Sequence, residues 1–218
     1  MLGLFPFLIA ILLLLPALAF LFYFNIATLS LARLGLSPGG AVLLFGLSLI
    51  GGVINIPISR RRFIVEEPQP SPSFFFPYFF YYPPKVREQV IAVNLGGAVI
   101  PSIFALHLFL GRAPFFPTVL SVAIVAFIAW RLARPVKGVG ITMPAFIPPL
   151  AAAACGLILS PNHAPAVSYI AGVWGTLIGA DLMNIPNFPR LGAQVISIGG
   201  AGIYDGIFLV GIIAAFLS

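Results

Sequence analysis

The sequence predicts an all-α, polytopic transmembrane helix bundle of about seven spans, and three observations carry that expectation. First, 61% of the residues are hydrophobic and only 7% are charged, whereas a soluble domain carries about 25% charge. Second, the mean hydropathy is +1.12. Third, seven segments approach the roughly 20 mostly apolar residues that a helix needs to cross the hydrocarbon core. They are 3–24, 38–57, 89–110, 115–131, 142–160, 165–184 and 194–217. Residues 1–218 therefore read as one integral membrane domain, multi-pass in the cell membrane, with the lipid bilayer as its first partner.

Span 1 opens MLGLFPFLIAILLLLPALAF without a basic stretch ahead of its apolar run. That pattern predicts a retained span, not a cleaved signal peptide. Span 2 leads into residues 58–88, a Pro/aromatic-rich cytoplasmic or interfacial loop containing SFFFPYFFYYPP at 73–84. Aromatic rings favour the lipid–water interface, and the prolines between Pro68 and Pro84 exclude a long regular helix. This loop is expected to lie on the membrane surface or to cap the bundle. Span 5 carries Pro144, Pro148 and Pro149. Each lacks a helix donor, so the segment is expected to be kinked, broken or re-entrant.

Charge gives the orientation. Arg60, Arg61, Arg62, Lys85, Arg87, Arg131, Arg134, Lys137 and Arg190 follow even-numbered spans, whereas Arg33 and Arg112 follow odd-numbered ones. The positive-inside rule puts the nine-residue set in the cytoplasm and both termini outside. The net charge of +6 is that of basic loops facing anionic lipid. No dense basic patch points to nucleic acid.

Two stretches recur in the same order. LIGGVINIPISRR at 49–61 resembles LIGADLMNIPNFPR at 177–190, and QVIAVNLGGAVIP at 89–101 resembles QVISIGGAGIYDG at 194–206. Spans 2–3 thus read as a duplicate of spans 6–7, a parallel repeat of the kind found in transporters. The paired glycines at 96–97 and 199–200 permit close helix contact or an unwound turn.

Asp181 and Asp205 are the only acidic residues inside any of these spans. A carboxylate at the bilayer centre costs at least about 2.5–3.5 kcal/mol, so such a residue normally faces the bundle interior or a cavity. Asn55, Asn94, Ser102, His107, Asn184 and Tyr204 add polarity, with His107 expected as an interior hydrogen-bonded residue. Three roles fit. Asp181 and Asp205 bind a cation, proton or small solute, with Asn184, Asn94 and Tyr204 in support. Alternatively the two carboxylates form a catalytic dyad sharing one proton. Otherwise they are structural, each hydrogen-bonded within the bundle. Of these three, the dyad reading makes the chain an enzyme.

The pattern of GAD at 179–181 and YDGIF at 204–208 resembles an uncharacterised polytopic membrane family of archaea and bacteria. That resemblance covers most of the chain and brings no substrate with it. A fainter one is to presenilin-type intramembrane aspartyl proteases, through Tyr204–Asp205 as a YD motif and Gly179–Ala180–Asp181 as the end of a GxGD motif. It implies an Asp181–Asp205 dyad. The chain departs from that family in three ways: Ala180 replaces the second glycine, the motif order is reversed, and no PAL follows Asp205.

Cys155 in LAAAACG has no cysteine partner in the chain and reads as a small packing residue. His163 follows Pro161 and Asn162 in an outer loop. Two histidines on separate segments make no metal site, and no cofactor is expected. Arg112 and Arg190 mark span ends by snorkelling. The composition leaves room for a homo-oligomer.

Overall fold

The computed structural model describes residues 4–65, 85–137, 140–200 and 206–218. The protein is mostly helical. Helix α1, Leu4–Arg33, ends where Gly35 takes φ +81 and lets the chain reverse. Helix α2, Pro38–Gly51, starts on Ser37, whose Oγ accepts the Gly40 N–H. Pro38 follows at the first turn, where no N–H is required. Strands β1, Asn55–Val65, and β2, Lys85–Asn94, then form an antiparallel hairpin. A π turn at Leu95–Val99 leads into α3, Ile100–Gly111. Helix α4 is Phe115–Leu132, and a small hairpin of β3, Arg134–Val136, and β4, Gly140–Thr142, follows it.

Helix α5, Ile147–Leu159, has Pro148 and Pro149 in its first turn. The prolines expected to kink or break span 5 instead start a helix, at positions whose N–H groups lack intrahelical partners anyway. The next helical rod runs from Pro161 to Pro189. It contains α6, Ala164–Ile170, then π turns at Ala171–Gly175 and Leu177–Asp181, then a 3₁₀ stretch at Leu182–Leu191. Strand β5, Val195–Ile198, and helix α7, Gly206–Leu217, complete the chain.

Three helical stretches are long and apolar enough to cross a membrane: Leu14–Arg33, Phe115–Leu132 and Pro161–Pro189. The third is 67% buried, against 17% and 28% for the others, so it is the central rod. Four shorter apolar helices of 10–17 residues surround the three. Large side chains such as Leu12, Phe22, Phe116 and Ile158 are at least 70% exposed. This outward apolar coat suits lipid, not water.

The strands correct the all-α expectation. Residues 89–94 of expected span 3 are strand, span 2 stops helically at Gly51, and span 7 is a strand and a separate helix. QVIAV and VISI are runs rich in β-branched residues, and short apolar runs of that kind do not reveal helix or strand by periodicity. The ends of the expected 58–88 loop form the β1–β2 hairpin, while the aromatic tract 73–84 lies outside the described residues. Strand β2 is central, with β1 antiparallel on one side and β5 parallel on the other. The β2–β5 register sets Val90 beside Val195 and Ile91 beside Ile196, the same pairs that the sequence repeat aligns. A small core of Ile91, Ile196, Ile198, Phe188 and Leu191 holds the sheet to the rod's 3₁₀ end.

The helix ends sort into two sets. Arg33 at the end of α1 reaches the Phe216 carbonyl at the end of α7, and Arg112 after α3 reaches the Leu34 carbonyl. This is the linker end, where connections are short. At the sheet end, Asn94 bonds to Gly52 and Gly199 bonds to Asp181. Between them the main core packs Tyr169, Phe45, Phe104, Phe208 and Ile212.

Glycines bring the rod against α4. A Cβ on Gly179 would collide with the Ala126 backbone carbonyl, and one on Gly175 would lie 2.7 Å from Val125 Cβ. Small residues at helix crossings let backbones approach this closely. Gly179→Leu is therefore expected to destabilise the protein by about 1–3 kcal/mol. A thermal unfolding scan in detergent measures it, with exposed Gly111→Ala as the neutral control.

Candidate functional site

Asp181 ends the second π turn of the central rod. Single π turns inside helices frequently occur at functional sites. Its side chain is half-buried, and its Oδ2 accepts the Gly199 backbone N–H at 2.7 Å. Gly199 and Gly200 take φ +89 and +87, a conformation that favours glycine. A Cβ on Gly199 would also collide with Ala98 in the π turn before α3. The glycine pair, expected to give close contact or an unwound turn, does both. It wedges a sharp turn between Ala98 and Asp181.

On the other side of that turn lies an amide network. Asn94 Nδ2 donates to the Gly52 carbonyl at 2.7 Å and to Asn55 Oδ1 at 3.1 Å, while its Oδ1 accepts the Gly97 N–H at 2.7 Å. The Ser197 hydroxyl lies 2.5 Å from both Asn55 Oδ1 and the Gly200 carbonyl. With a single proton it donates to one of them at a time. Asp181, the Gly199–Gly200 turn, Ser197, Asn55 and Asn94 thus form one polar layer at the sheet end of the helices.

Asn184 sits one turn beyond Asp181. Its Nδ2 donates to the Gly179 and Ala180 carbonyls at 3.2 and 3.0 Å, and its Oδ1 accepts from Asn187 at 3.0 Å. It fills the carbonyl positions left where the π turn tightens into 3₁₀ geometry. Tyr204 and Asp205 lie outside the described residues, so their distance from Asp181 is not part of this geometry. Asp205 is six residues beyond Gly199 in sequence. His107, expected inside, is exposed on α3 with its ring 6.3 Å from Phe104. Its position on the outward face of α3 overrides the polarity argument.

Among the described residues the single salt bridge is Arg62–Glu88, so Asp181 has no cationic side chain paired with it there. No group of three or more His, Cys, Asp or Glu side chains able to hold a metal ion occurs among them either. An apolar cleft of about 550 Å³ runs beside the layer, lined by Ala98, Ser102, Trp174, Leu177 and Leu182. Ser102 Oγ is its polar feature, buried with no partner. Sequence reasoning gave Asn55 and Ser197 no role in the site. The two NIP triplets were the available signal for Asn55. Ser197 had none, because a serine in an apolar strand looks like packing. Gln89, equally unmarked, is buried and donates to the Phe188 and Ala193 carbonyls, tying β2 to the rod's end.

A family model matches residues 49–217. The chain belongs to the DUF1614 family, proteins of unknown function. No curated protein and no solved structure matches it. The DUF1614 match takes in the last turn of α2, the sheet and all later elements, and so every residue of the polar layer. It leaves the presenilin-type likeness where the sequence put it.

In this DUF1614 chain Asn94 is the most heavily used side chain of the layer. Asn94→Ala leaves the buried Gly52 carbonyl and Gly97 N–H without their partner. A loss of about 1–3 kcal/mol is expected. Denaturant unfolding in detergent checks it, with exposed Asn162→Ala expected to change little.

Proposed function

We propose that this protein handles a proton, a cation or a small solute within the membrane, with Asp181 as the binding group. One observation carries the reading: Asp181 is a half-buried carboxylate in a membrane-compatible rod, with one backbone hydrogen bond and no cationic side chain paired with it among the described residues. Its insertion cost of at least about 2.5–3.5 kcal/mol is offset only in part by one charge-assisted bond worth about 1.5–3 kcal/mol. A purely structural role is better served by a neutral amide. A mobile cation or a proton neutralises the remaining charge. Asp205 and Tyr204 join the site in this reading, and Asn94 and Asn184 hold its backbone walls.

The proposal includes seven passes; an odd number puts the termini on opposite sides, so the C-terminus lies outside and, contrary to the expectation for both ends, the N-terminal end of α1 lies in the cytoplasm. The four short helices span about 15–25 Å at 1.5 Å per residue, less than the roughly 30 Å core. They reach the linker side, and the remaining depth is filled by the sheet-end layer. Non-helical backbone at that depth is tolerated where protein buries it or a wet cavity meets it. The matching β2–β5 register supports a duplication of spans 2–3 and 6–7. The sheet end, with nine of the eleven basic residues, faces the cytoplasm.

Two measurements test this. In proteoliposomes, Asp181→Asn is expected to lower proton or alkali-cation flux at least about tenfold, a barrier change of about 1.4 kcal/mol. Unchanged flux in a folded variant overturns the role of Asp181. Cleavage of a membrane peptide that requires both Asp181 and Asp205 would assign the dyad instead. For orientation, Cys155→Ala chains with a single cysteine at Arg60 or at Asn162 are labelled in intact cells by an impermeant maleimide. Labelling is expected at Asn162 alone, and the reverse pattern inverts the topology.

A further inference from the structure

The linker end holds a cavity of about 750 Å³, whose lining includes Arg33, Leu110, Arg112, Asn162 and His163. We propose that it binds a phosphate oxyanion, either the phosphodiester of a lipid headgroup or a soluble phosphate. This site is remote from Asp181 and does not depend on the role proposed for it.

Charge and geometry carry the inference. Arg33 and Arg112 both line one cavity, and no carboxylate side chain lines it among the described residues. Each arginine is held in place by a backbone carbonyl. Arg33 Nη1 donates to Phe216 at 2.8 Å, with its guanidinium 5.6 Å from the centre of the Phe216 ring. Arg112 Nη1 donates to Leu34 at 2.9 Å. A guanidinium has five N–H donors in a planar fork, so these bonds leave most of each fork free. Gly35 makes room for the Arg112 group, because a Cβ there would collide with Arg112 Nη1. The forks are thus positioned before any ligand arrives. Planar forks match phosphate oxygens two at a time.

The remaining lining fits the same chemistry. Asn162 supplies an amide N–H₂, and His163 an imidazole N–H. Leu110, 77% exposed, places apolar surface at the rim. An amphiphile with a phosphate head and an acyl tail would meet both surfaces. Arg33 and Arg112 are the two basic residues set apart from the nine that orient the chain. Snorkelling accounts for each arginine singly. It does not account for two of them converging on one cavity, with a glycine cleared for one of their forks.

The test uses the full chain in nanodiscs of neutral phosphatidylcholine and reads thermal unfolding. Inorganic phosphate is titrated at constant ionic strength in one arm, and phosphatidylglycerol is added to the discs in the other. A saturable rise in unfolding temperature in the first arm identifies a soluble anion. A rise in the second arm alone identifies a lipid headgroup. Asn162→Asp puts a carboxylate at the cavity and leaves both arginine–carbonyl bonds in place. It is expected to weaken the effect about tenfold or more, whereas Arg131→Gln at the sheet end leaves it unchanged. No saturable response in either arm overturns the proposal. So does equal affinity in Asn162→Asp and the unaltered chain.

Discussion

The Gly199 N–H to Asp181 contact joins the two halves of the sheet end, and the rest of the architecture depends on it and on the constraint behind it. A backbone amide inside a low-dielectric layer must be paired. Where α2, α3 and α7 stop short, the ladder of helical bonds stops with them. Asn94 takes over at Gly52 and Gly97, Asn184 at Gly179 and Ala180, and Asp181 at Gly199. Two of these three side chains are neutral amides able to donate and accept. Asp181 alone offers only acceptors when ionised. It is used where one donor, the Gly199 N–H, presents itself.

The central rod makes this layer possible. Its π turns widen the helix at Ala171–Gly175 and Leu177–Asp181, and its glycines let α4 approach backbone to backbone. Asp181 closes the second π turn and meets the Gly199 turn. The rod also changes partners along its length. Below Asp181 it meets helices through aromatic and small side chains; above it, Phe188 and Leu191 meet the sheet. Asp181 sits at that changeover.

Much of this was legible in the residues. Each apolar segment contains a described helix, and the glycine pair at 199–200 marked an unwound turn. The strands were not legible, because QVIAVN satisfies an apolar segment as well as a strand, and only β1 alongside decides between them. Pro148 and Pro149 fall in the first turn of α5 because that helix begins only at Ile147, after the β3–β4 hairpin has ended, and no local pattern fixes that start. Asn55 and Ser197 were missed as site residues because they meet through a contact 142 residues apart in sequence. No local pattern encodes such a pairing. The aligned QVI stretches correspond to a different long-range contact, the side-by-side pairing of β2 and β5.

That pairing has a consequence for how the chain is made. Until β5 arrives, β2 is an edge strand, with one row of backbone donors and acceptors open. Residues 90–93 are synthesised about a hundred positions before 195–198, so the gap persists through the synthesis of α3, α4, α5 and the rod. Contacts this remote in sequence close late. The turn that presents Gly199 to Asp181 forms only as that last strand docks. A chain whose synthesis stops before β5 therefore has most of its helices, an open strand edge on β2, and no Gly199 N–H for Asp181.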